Sequence, residues 1–436
     1  MKDERLNARH PSSFRIHPSV LIAILFLALR IPLLAVRAPF FDELFTRWIA
    51  GKPFAEILAA LRYDSGPPLY YFVVHMLGDP AVEATRVVSL LCAAISLSMI
   101  LRSNRMGPAT GSIETPAILA ATLLAVFPPA VLFAGDARAY AMCAMLVTGA
   151  VLAIDDGRSI VAAVTLVLAA YSHYYGVLFF PLLLLGPAGV TMPKLANWSR
   201  RGAALAIASA LFIPGLLLAL RQPGGARAWM AAEWPDALFV RQPLALAIIG
   251  AVAFLLSLRV NRYLLMVIVP LLLAIALRVY VPIRFEVVIA APLALWLGES
   301  LRQNRFRMAL MAALIAVGAS WSVLGFIDHL HRPPDSYREA ALWTAKNIAA
   351  KENVVASGYC YLETLMNGHP RVTAFPPEQA LHPGWRALPP SGLPAPRGTF
   401  FWIGERQAPE LAIFIRERRD IRPLFINDRA MVALVR

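Results

Sequence analysis

Two adjacent acids, Asp42 and Glu43, follow the apolar run 18–36 in the stretch RAPFFDELFTRW. A carboxylate in such a position is often a helix cap or the partner of a neighbouring arginine, here Arg37 or Arg47. It can also act as a general base that takes a proton from a hydroxyl. On this stretch alone, both interpretations stay open for each acid.

A third acid, Asp136, lies two residues before Arg138 in the stretch GDARAY, at the mouth of another apolar run. Charged groups at membrane depth are expensive and usually carry function, although Asp136 could simply cap a helix. A carboxylate beside guanidinium groups suits the displacement of a phosphate from a lipid carrier. The carboxylate would take the proton of an acceptor hydroxyl, and arginine would hold the leaving phosphate in bidentate fashion.

The stretch SHYYG adds three further polar side chains, His173, Tyr174 and Tyr175. The tyrosines are typical of an aromatic belt at a membrane interface. His173 could equally donate to a phosphate or to a sugar hydroxyl. The sequence contains no glycine-rich nucleotide loop, no HExxH zinc pair and no GxSxG elbow, and the absence of a nucleotide loop fits a lipid-linked donor.

The composition predicts a polytopic membrane protein. Of 436 residues, 58% are hydrophobic and 16% charged, and the mean hydropathy is +0.61, well outside the range of soluble domains. Repeated apolar runs match the length that a helix needs to cross a bilayer. The net charge of +14 does not indicate nucleic acid, because the basic residues fall in the gaps between those runs. We predict about eleven transmembrane helices, near 18–36, 85–101, 116–133, 139–154, 159–172, 175–192, 203–220, 242–258, 263–281, 285–300 and 308–326.

The distribution of basic residues predicts the orientation. If the N-terminus is cytoplasmic, every second gap should be basic, provided that the half-length apolar stretch 67–77 lies on the membrane surface as an interfacial helix. Residues 37–84 then form one large external loop. The basic gaps contain Arg102 and Arg105; Arg158; Lys194, Arg200 and Arg201; Arg259 and Arg262; and Arg302, Arg305 and Arg307.

This orientation brings the polar motifs to one external face, together with Arg138, Arg284 and Arg30. The positive-inside bias does not explain arginines at or near that face, so we expect each to have an anionic partner. The residues from 327 to 436 also become external. Their helix-like SYREAALWTAKNIAAK and strand-like NVVASG, TFFWIG and MVALV predict a small α/β domain.

The ordered motifs resemble those of the GT-C membrane glycosyltransferases in the superfamily of protein O-mannosyltransferases and bacterial aminoarabinose transferases, or glycosyltransferase family 39. They are the acidic pair, DSGPPLYYF, EATRVVSLL, GDARAYAM, SHYYG and PIRF, and they cover about residues 18–330. The resemblance implies an all-α GT-C fold for residues 1–326. It also implies a polyprenyl-phosphate-linked sugar donor, an external active site and inversion at the sugar carbon.

The resemblance also implies roles for individual residues. Asp42 matches the first-loop acid and becomes the expected base, with Glu43 as its rival, and Arg284 matches a family arginine that is usually followed by tyrosine. Phe285 follows it here, so the tyrosine hydroxyl is lost. Some relatives bind a divalent metal, but no motif in this sequence indicates a metal site, and we predict none. The remaining matches are Asp136 as the second acid, and Arg138, Tyr140, His173 and Tyr174 around the donor phosphate and sugar.

The sequence therefore predicts a glycosyltransferase of the bacterial inner membrane with a cytoplasmic N-terminus. It would move one sugar from a polyprenyl phosphate to a lipid, glycan or protein acceptor at the periplasmic face. The alternative is a transporter or flippase for an anionic lipid-linked substrate, which should show inverted repeats and charges at mid-membrane depth. A non-catalytic membrane scaffold would leave the ordered external charges unexplained.

Overall fold

The computed structural model shows a helical membrane part followed by a small α/β unit. The two parts meet at the helix that carries Asp42, near the N-terminus. The structure describes residues 17–63, 66–78, 81–103, 116–185, 195–222, 261–302, 306–331, 335–380 and 393–436.

The membrane part consists of ten long or medium helices and three short ones in the described ranges, with 3₁₀ helices at Leu61–Tyr63 and Tyr174–Leu184. In chain order the α-helices are α1 (Pro18–Val36), α2 (Phe41–Ala50), α3 (Phe54–Ala60), α4 (Leu69–His75), α5 (Val82–Leu101), α6 (Pro116–Val126), α7 (Pro128–Phe133), α8 (Tyr140–Asp155), α9 (Ser159–Ser172), α10 (Leu195–Arg221), α11 (Arg262–Ala276), α12 (Arg284–Arg302) and α13 (Arg307–His331).

Several helices expose so many apolar side chains that their contact with water would be unfavourable. Four helices of the described ranges are long and apolar enough to cross a membrane: α1, α5, α10 and α13. Helix α1 buries Ile22 and Phe26 but leaves Leu21 and Ile24 about half exposed. A helix that is apolar on every side belongs in an apolar solvent. The protein is therefore a membrane protein, as its composition predicts.

The predicted spans coincide with helices, with three differences. The span 116–133 is broken into α6 and α7 before Pro128, since proline has no N–H and disfavours the α conformation in the residue that precedes it. The first part of the span 175–192 is a 3₁₀ helix with Pro181 inside it. The span 242–258 lies outside the described residues.

The break between α6 and α7 also provides hydrogen-bond acceptors for the buried side chain of Arg30. Its buried guanidinium donates to the carbonyl oxygens of Ala125 at 2.7 Å and Leu124 at 3.4 Å, which belong to the last turn of α6, where helical partners are missing. A further bond reaches Phe26 O at 3.2 Å. Within the described residues, Arg30 is thus held by backbone carbonyls rather than by a carboxylate, and its Nε makes no hydrogen bond.

The α/β unit confirms the strand predictions and adds elements that were not predicted. Its elements are α14 (Ser336–Asn347), β1 (Val354–Ala356), α15 (Tyr359–Met366), β2 (Thr373–Ala374), β3 (Phe400–Glu405), α16 (Pro409–Arg416), β4 (Ile421–Ile426) and β5 (Ala430–Val435).

The five strands form one sheet in the order β2-β1-β3-β5-β4, with β1 parallel to β2 and β3, and β5 antiparallel to β3 and β4. Strand β4 contains a proline and mostly exposed residues, so it lacks the alternation that identifies strands.

Glycine at position 298 allows α12 and α6 to approach closely. A Cβ atom there would lie 2.7 Å from the carbonyl oxygen of Pro116 and 2.9 Å from the nitrogen of Ala120. Both atoms belong to the backbone and cannot swing aside. Small residues permit such contacts between membrane helices, and this contact supports α12, which begins with Arg284.

We expect Gly298→Ala to destabilise the protein by about 1–3 kcal/mol, because the added methyl group forces α12 away from α6. Thermal unfolding of the purified protein in detergent measures the effect. Gly202→Ala is the matched control, since a Cβ on Gly202 in α10 meets no atom within 4 Å. Equal midpoints for the two variants would contradict the close packing.

Candidate active site

Five of the quoted sequence stretches meet at one cavity of about 520 Å³. The first loop contributes Thr46, one turn after Asp42 in α2, and four residues of DSGPPLYYF, namely Gly66, Pro67, Tyr70 and Tyr71. The polar end of the cavity is lined by five of the predicted site residues, Arg138, Tyr140, His173, Tyr174 and Arg284. The other lining residues form an apolar wall and include Leu178, Phe212, Leu216, Leu220, Leu277 and Val279. The cavity therefore combines two cations with a hydrocarbon wall.

Asp42 lies beside both cavity arginines. One carboxylate oxygen, Oδ2, is 3.9 Å from Arg138 Nη2 and 3.8 Å from Arg284 Nη2. The exposed fraction of the side chain is 35% for Asp42, 18% for Arg138 and 36% for Arg284. Arg138 also donates to the Asp42 carbonyl oxygen at 3.3 Å. The acid and the two cations thus form an open cluster that a ligand can reach.

Glu43, the neighbouring acid, is completely buried and faces away from this cluster. Arg86 of α5 holds it in bidentate fashion, with Nε to Oε1 at 2.8 Å and Nη2 to Oε2 at 2.5 Å. The backbone nitrogen of Ala137 donates to Oε1 at 2.9 Å and that of Phe40 to Oε2 at 3.3 Å. Both carboxylate oxygens are therefore engaged, and Glu43 caps α2 while pairing with Arg86.

Asp136 is also buried, and its carboxylate forms an ion pair with the guanidinium of Arg37. Burial raises the pKa of Asp136 to about 6, and the charge of Arg37 opposes the rise, so the carboxyl is ionised at neutral pH. Asp136 does not line the described cavity and does not cap α8. The pair instead fastens the turn after α1 to the loop that carries Arg138.

His173 is half-buried at the polar end of the cavity. Desolvation, followed by the charges of Arg138 and Arg284, lowers its pKa to about 3, so the imidazole is neutral at pH 7. Its Nδ1 accepts a bond from the Tyr175 nitrogen at 3.2 Å. In a neutral imidazole the proton then lies on Nε2. His173 can thus donate from Nε2 to a phosphate or hydroxyl oxygen.

The turn that carries His173 requires glycine at position 176. A Cβ atom on Gly176 would overlap the backbone of Ala169 and Ala170 in α9. Because of this close approach, the 3₁₀ helix folds back tightly against α9. The His173 ring lies 4.7 Å from the Tyr140 ring and 4.5 Å from the Tyr175 ring, so aromatic contacts on both sides fix its direction.

Tyr174 connects the cavity wall to the first loop through a glutamine. Its hydroxyl donates to Gln222 Oε1 at 3.0 Å, and Gln222 Nε2 donates to the carbonyl oxygens of Leu61 at 2.7 Å and Gly66 at 3.0 Å. These bonds join the end of α10 to the loop above it. They close one side of the cavity.

Sequence reasoning missed Arg86 and Gln222. It offered Arg37 or Arg47 as the partner of the acidic pair, whereas Arg86 pairs with Glu43 and Arg37 pairs with Asp136. A signal was present, since Arg86 lies inside the apolar run of α5 and a charge there must find a partner. Gln222 carries no comparable signal.

Within the described ranges, no group of three His, Cys, Asp or Glu side chains comes together in a way that could hold a metal ion. The side chain of His75, in the first loop, is hydrogen-bonded to the backbone instead. Its Nδ1 donates to the Ala50 carbonyl oxygen at 2.8 Å. It therefore caps the end of α2.

The sequence matches no protein-family model and no curated protein. Its fold is that of two crystal structures of ArnT from Cupriavidus metallidurans. The apo structure shares 12% identity at a TM-score of 0.60, covering 95% of this chain and 96% of that one. The structure bound to undecaprenyl phosphate shares 13% at a TM-score of 0.58, covering 96% and 97%. The GT-C fold predicted from the motifs is confirmed, while likeness at this identity leaves the chemistry open.

We expect Glu43→Gln to lower the thermal midpoint strongly. It leaves the buried guanidinium of Arg86 without a carboxylate, and breaking a buried pair in this way costs about 3–5 kcal/mol. The matched control is Asp42→Asn, which removes the neighbouring charge at a partly exposed site, where ion pairs contribute about 0–1 kcal/mol. If Asp42→Asn were the more damaging change to stability, the structural role of Glu43 would be refuted.

His173 should make stability fall as the pH falls. The folded state keeps it neutral down to a pKa of about 3, whereas the unfolded chain binds a proton below about pH 6.5. We expect a loss of about 2 kcal/mol between pH 6.5 and pH 5 that His173→Gln abolishes. Thermal midpoints at pH 7 and pH 5 measure this difference, with the exposed His331→Gln as control. A constant difference between wild type and His173→Gln would argue against a neutral imidazole in the folded state.

Proposed function

We propose that the protein is an integral membrane glycosyltransferase that moves a sugar from a polyprenyl-phosphate-linked donor to a hydroxyl of a lipid, glycan or protein acceptor. One observation carries the proposal: the Asp42 carboxylate lies beside the two arginines that line the polar end of a largely apolar cavity. A base and a phosphate cradle are the two groups that such a transfer requires.

The cavity suits an amphiphilic donor. Arg138 and Arg284 would hold the donor phosphate, since two guanidinium groups can share its oxygens. The apolar wall, with Phe212 and Leu216, would take the first isoprene units of the prenyl chain. The similar fold of ArnT, which has been crystallised with undecaprenyl phosphate, supports a donor of this class.

Donor binding would also release the base. In the structure Asp42 lies within ion-pair distance of both arginines. A phosphate between these arginines brings its own negative charge, so it competes with Asp42 for the same guanidinium groups. The Asp42 side chain would then be available to an acceptor hydroxyl. The base would thus act fully only when the donor is present.

In the reaction, the acceptor hydroxyl oxygen attacks the anomeric carbon of the donor sugar. The bond from that carbon to the phosphate oxygen breaks, and the configuration at the carbon inverts. Asp42 takes the hydroxyl proton, and Arg138 and Arg284 stabilise the charge that develops on the leaving phosphate. His173 would donate from Nε2 to the sugar or phosphate, with Tyr140 and Tyr174 shaping the sugar pocket.

The orientation follows from the arginine pattern. We propose that the cavity opens at the periplasmic face of a bacterial inner membrane, with the N-terminus in the cytoplasm. Residues 1–326 would form the catalytic membrane domain, and residues 327–436 would form a periplasmic domain. No bound metal enters this mechanism, since the two guanidinium groups supply the positive charge that the phosphate needs.

Asp42→Asn should reduce sugar transfer by about two to four orders of magnitude, because it removes the base. The measurement is a mass spectrum of lipids and envelope glycans from cells with the wild-type gene, without it, or with the variant gene. One glycoconjugate should lose a single sugar in both the deletion and the variant cells, while a sugar phosphate lipid accumulates. Near-normal transfer by a folded Asp42→Asn variant would remove Asp42 from the role of base.

Binding of undecaprenyl phosphate to the purified protein separates donor recognition from catalysis. Arg284→Ala should weaken it about tenfold or more, and Asp42→Asn should not. Arg158→Ala, which removes an exposed arginine, is the charge-matched control. If no glycoconjugate loses a sugar in deletion cells and an undecorated lipid moves between leaflets instead, the protein is a transporter.

A further inference from the structure

The α/β unit packs directly on the helix that carries Asp42. Leu362 of α15 is completely buried, and it shares a hydrophobic cluster with Leu44, Phe45 and Ile49 of α2. These α2 residues follow Asp42 within two turns. The last part of the chain therefore forms part of the packing around the proposed base.

Two further contacts hold the turn just before Asp42. The Tyr359 ring meets the Phe41 ring edge-on at 4.6 Å, and the Tyr337 ring stacks on Tyr359 at 5.4 Å. Arg338 Nη1 donates to the Pro39 carbonyl oxygen at 3.0 Å. The α/β unit thus contacts the chain one and three residues before Asp42, at Phe41 and Pro39, as well as at the helix itself.

Arg338 also interacts with a buried acid of the α/β unit. Glu363 of α15 is buried, and burial raises its pKa to about 7, while the charge of Arg338 opposes the rise. Arg338 thus interacts electrostatically with this carboxyl and donates a hydrogen bond to the Pro39 carbonyl. Both interactions favour the position of Arg338 at the junction.

Helix α2 needs this external support. It has ten residues, and isolated helices shorter than about twelve residues are marginal in water. The distances of 3.8 Å and 3.9 Å from Asp42 to its arginines are long for ion pairs and fix its position weakly. Firm contacts come from Glu43 with Arg86 on the membrane side and from the α/β unit on the other side.

We propose that the α/β unit positions Asp42 for the reaction, with Arg338, Tyr359 and Leu362 as positioning residues. This rests on the proposed function, in which Asp42 is the base. The two arginines of the donor cradle are adjacent to Asp42 but belong to other elements, because Arg138 precedes α8 and Arg284 begins α12. Loss of the junction should therefore displace the base while the phosphate site stays intact.

The test compares Arg338→Ala with Arg338→Lys and with Arg371→Ala. Lysine can restore one bond to the Pro39 carbonyl, and Arg371 is an exposed arginine of the same unit. Two quantities are measured: the initial rate of sugar addition after induction of each gene in deletion cells at equal protein level, and the Kd of undecaprenyl phosphate for the purified protein.

We expect Arg338→Ala to reduce the rate about 10- to 100-fold, since small misplacements of a reacting group have effects of this size. The Kd should change less than about threefold, because no donor contact is lost. Arg338→Lys should recover part of the rate, and Arg371→Ala should match wild type. Tyr359→Ala should behave like Arg338→Ala, and Tyr359→Phe, which keeps the ring, should stay near wild type.

Three results would overturn the inference. Wild-type rates in both Arg338→Ala and Tyr359→Ala would show that the junction does not position Asp42. A parallel loss of rate, donor affinity and thermal midpoint, without rescue by lysine, would show a general structural role. If the wild-type protein adds no sugar, the proposed function itself fails, and the positioning role falls with it.

Discussion

The buried ion pair between Glu43 and Arg86 fixes the geometry on which the rest of the site depends. Such a pair must satisfy nearly all of its polar atoms to offset the loss of water. Glu43 does so with two bonds from Arg86 and one each from the backbone of Ala137 and Phe40. Asp42 is the neighbour of Glu43 in the sequence, and Arg138 is the neighbour of Ala137, whose backbone nitrogen donates to Glu43. The position of Glu43 therefore sets the distance between the Asp42 carboxylate and the guanidinium of Arg138.

The charged residues of the membrane part divide into two groups according to their partners. Glu43, Asp136 and Arg30 are buried and held by protein atoms at hydrogen-bond or ion-pair distance. Asp42 and Arg284 keep about a third of their side-chain exposure and face each other at 3.8 Å. Charges of the first group hold helices and turns together. Charges of the second group can exchange one partner for another, which is what a site for a charged ligand requires.

The sequence predicts the helices well because apolar length is a strong local signal, and the order of the motifs was enough to predict the fold. It could not decide which acid of the pair lies beside the cavity arginines. Successive residues of a helix point about 100° apart, so Asp42 and Glu43 must face different surroundings, and those surroundings come from residues more than forty positions away. Which acid pairs with Arg86 depends on the same contacts between distant parts of the chain. Strand β4 was missed because neither of its faces is consistently buried.

The shape of the cavity also bears on the class of donor. A nucleotide sugar would bring a ribose and a base, whose polar atoms would lie against Phe212, Leu216 and Leu220 on the apolar wall. Polar groups buried without hydrogen bonds cost about 1–3 kcal/mol each in proteins, so the wall discriminates against such a donor. A prenyl chain gains from the same contact. Arg138 and Arg284 would hold phosphate in either molecule, and selectivity for the proposed lipid-linked donor would therefore lie in the hydrocarbon wall rather than in the charged cluster.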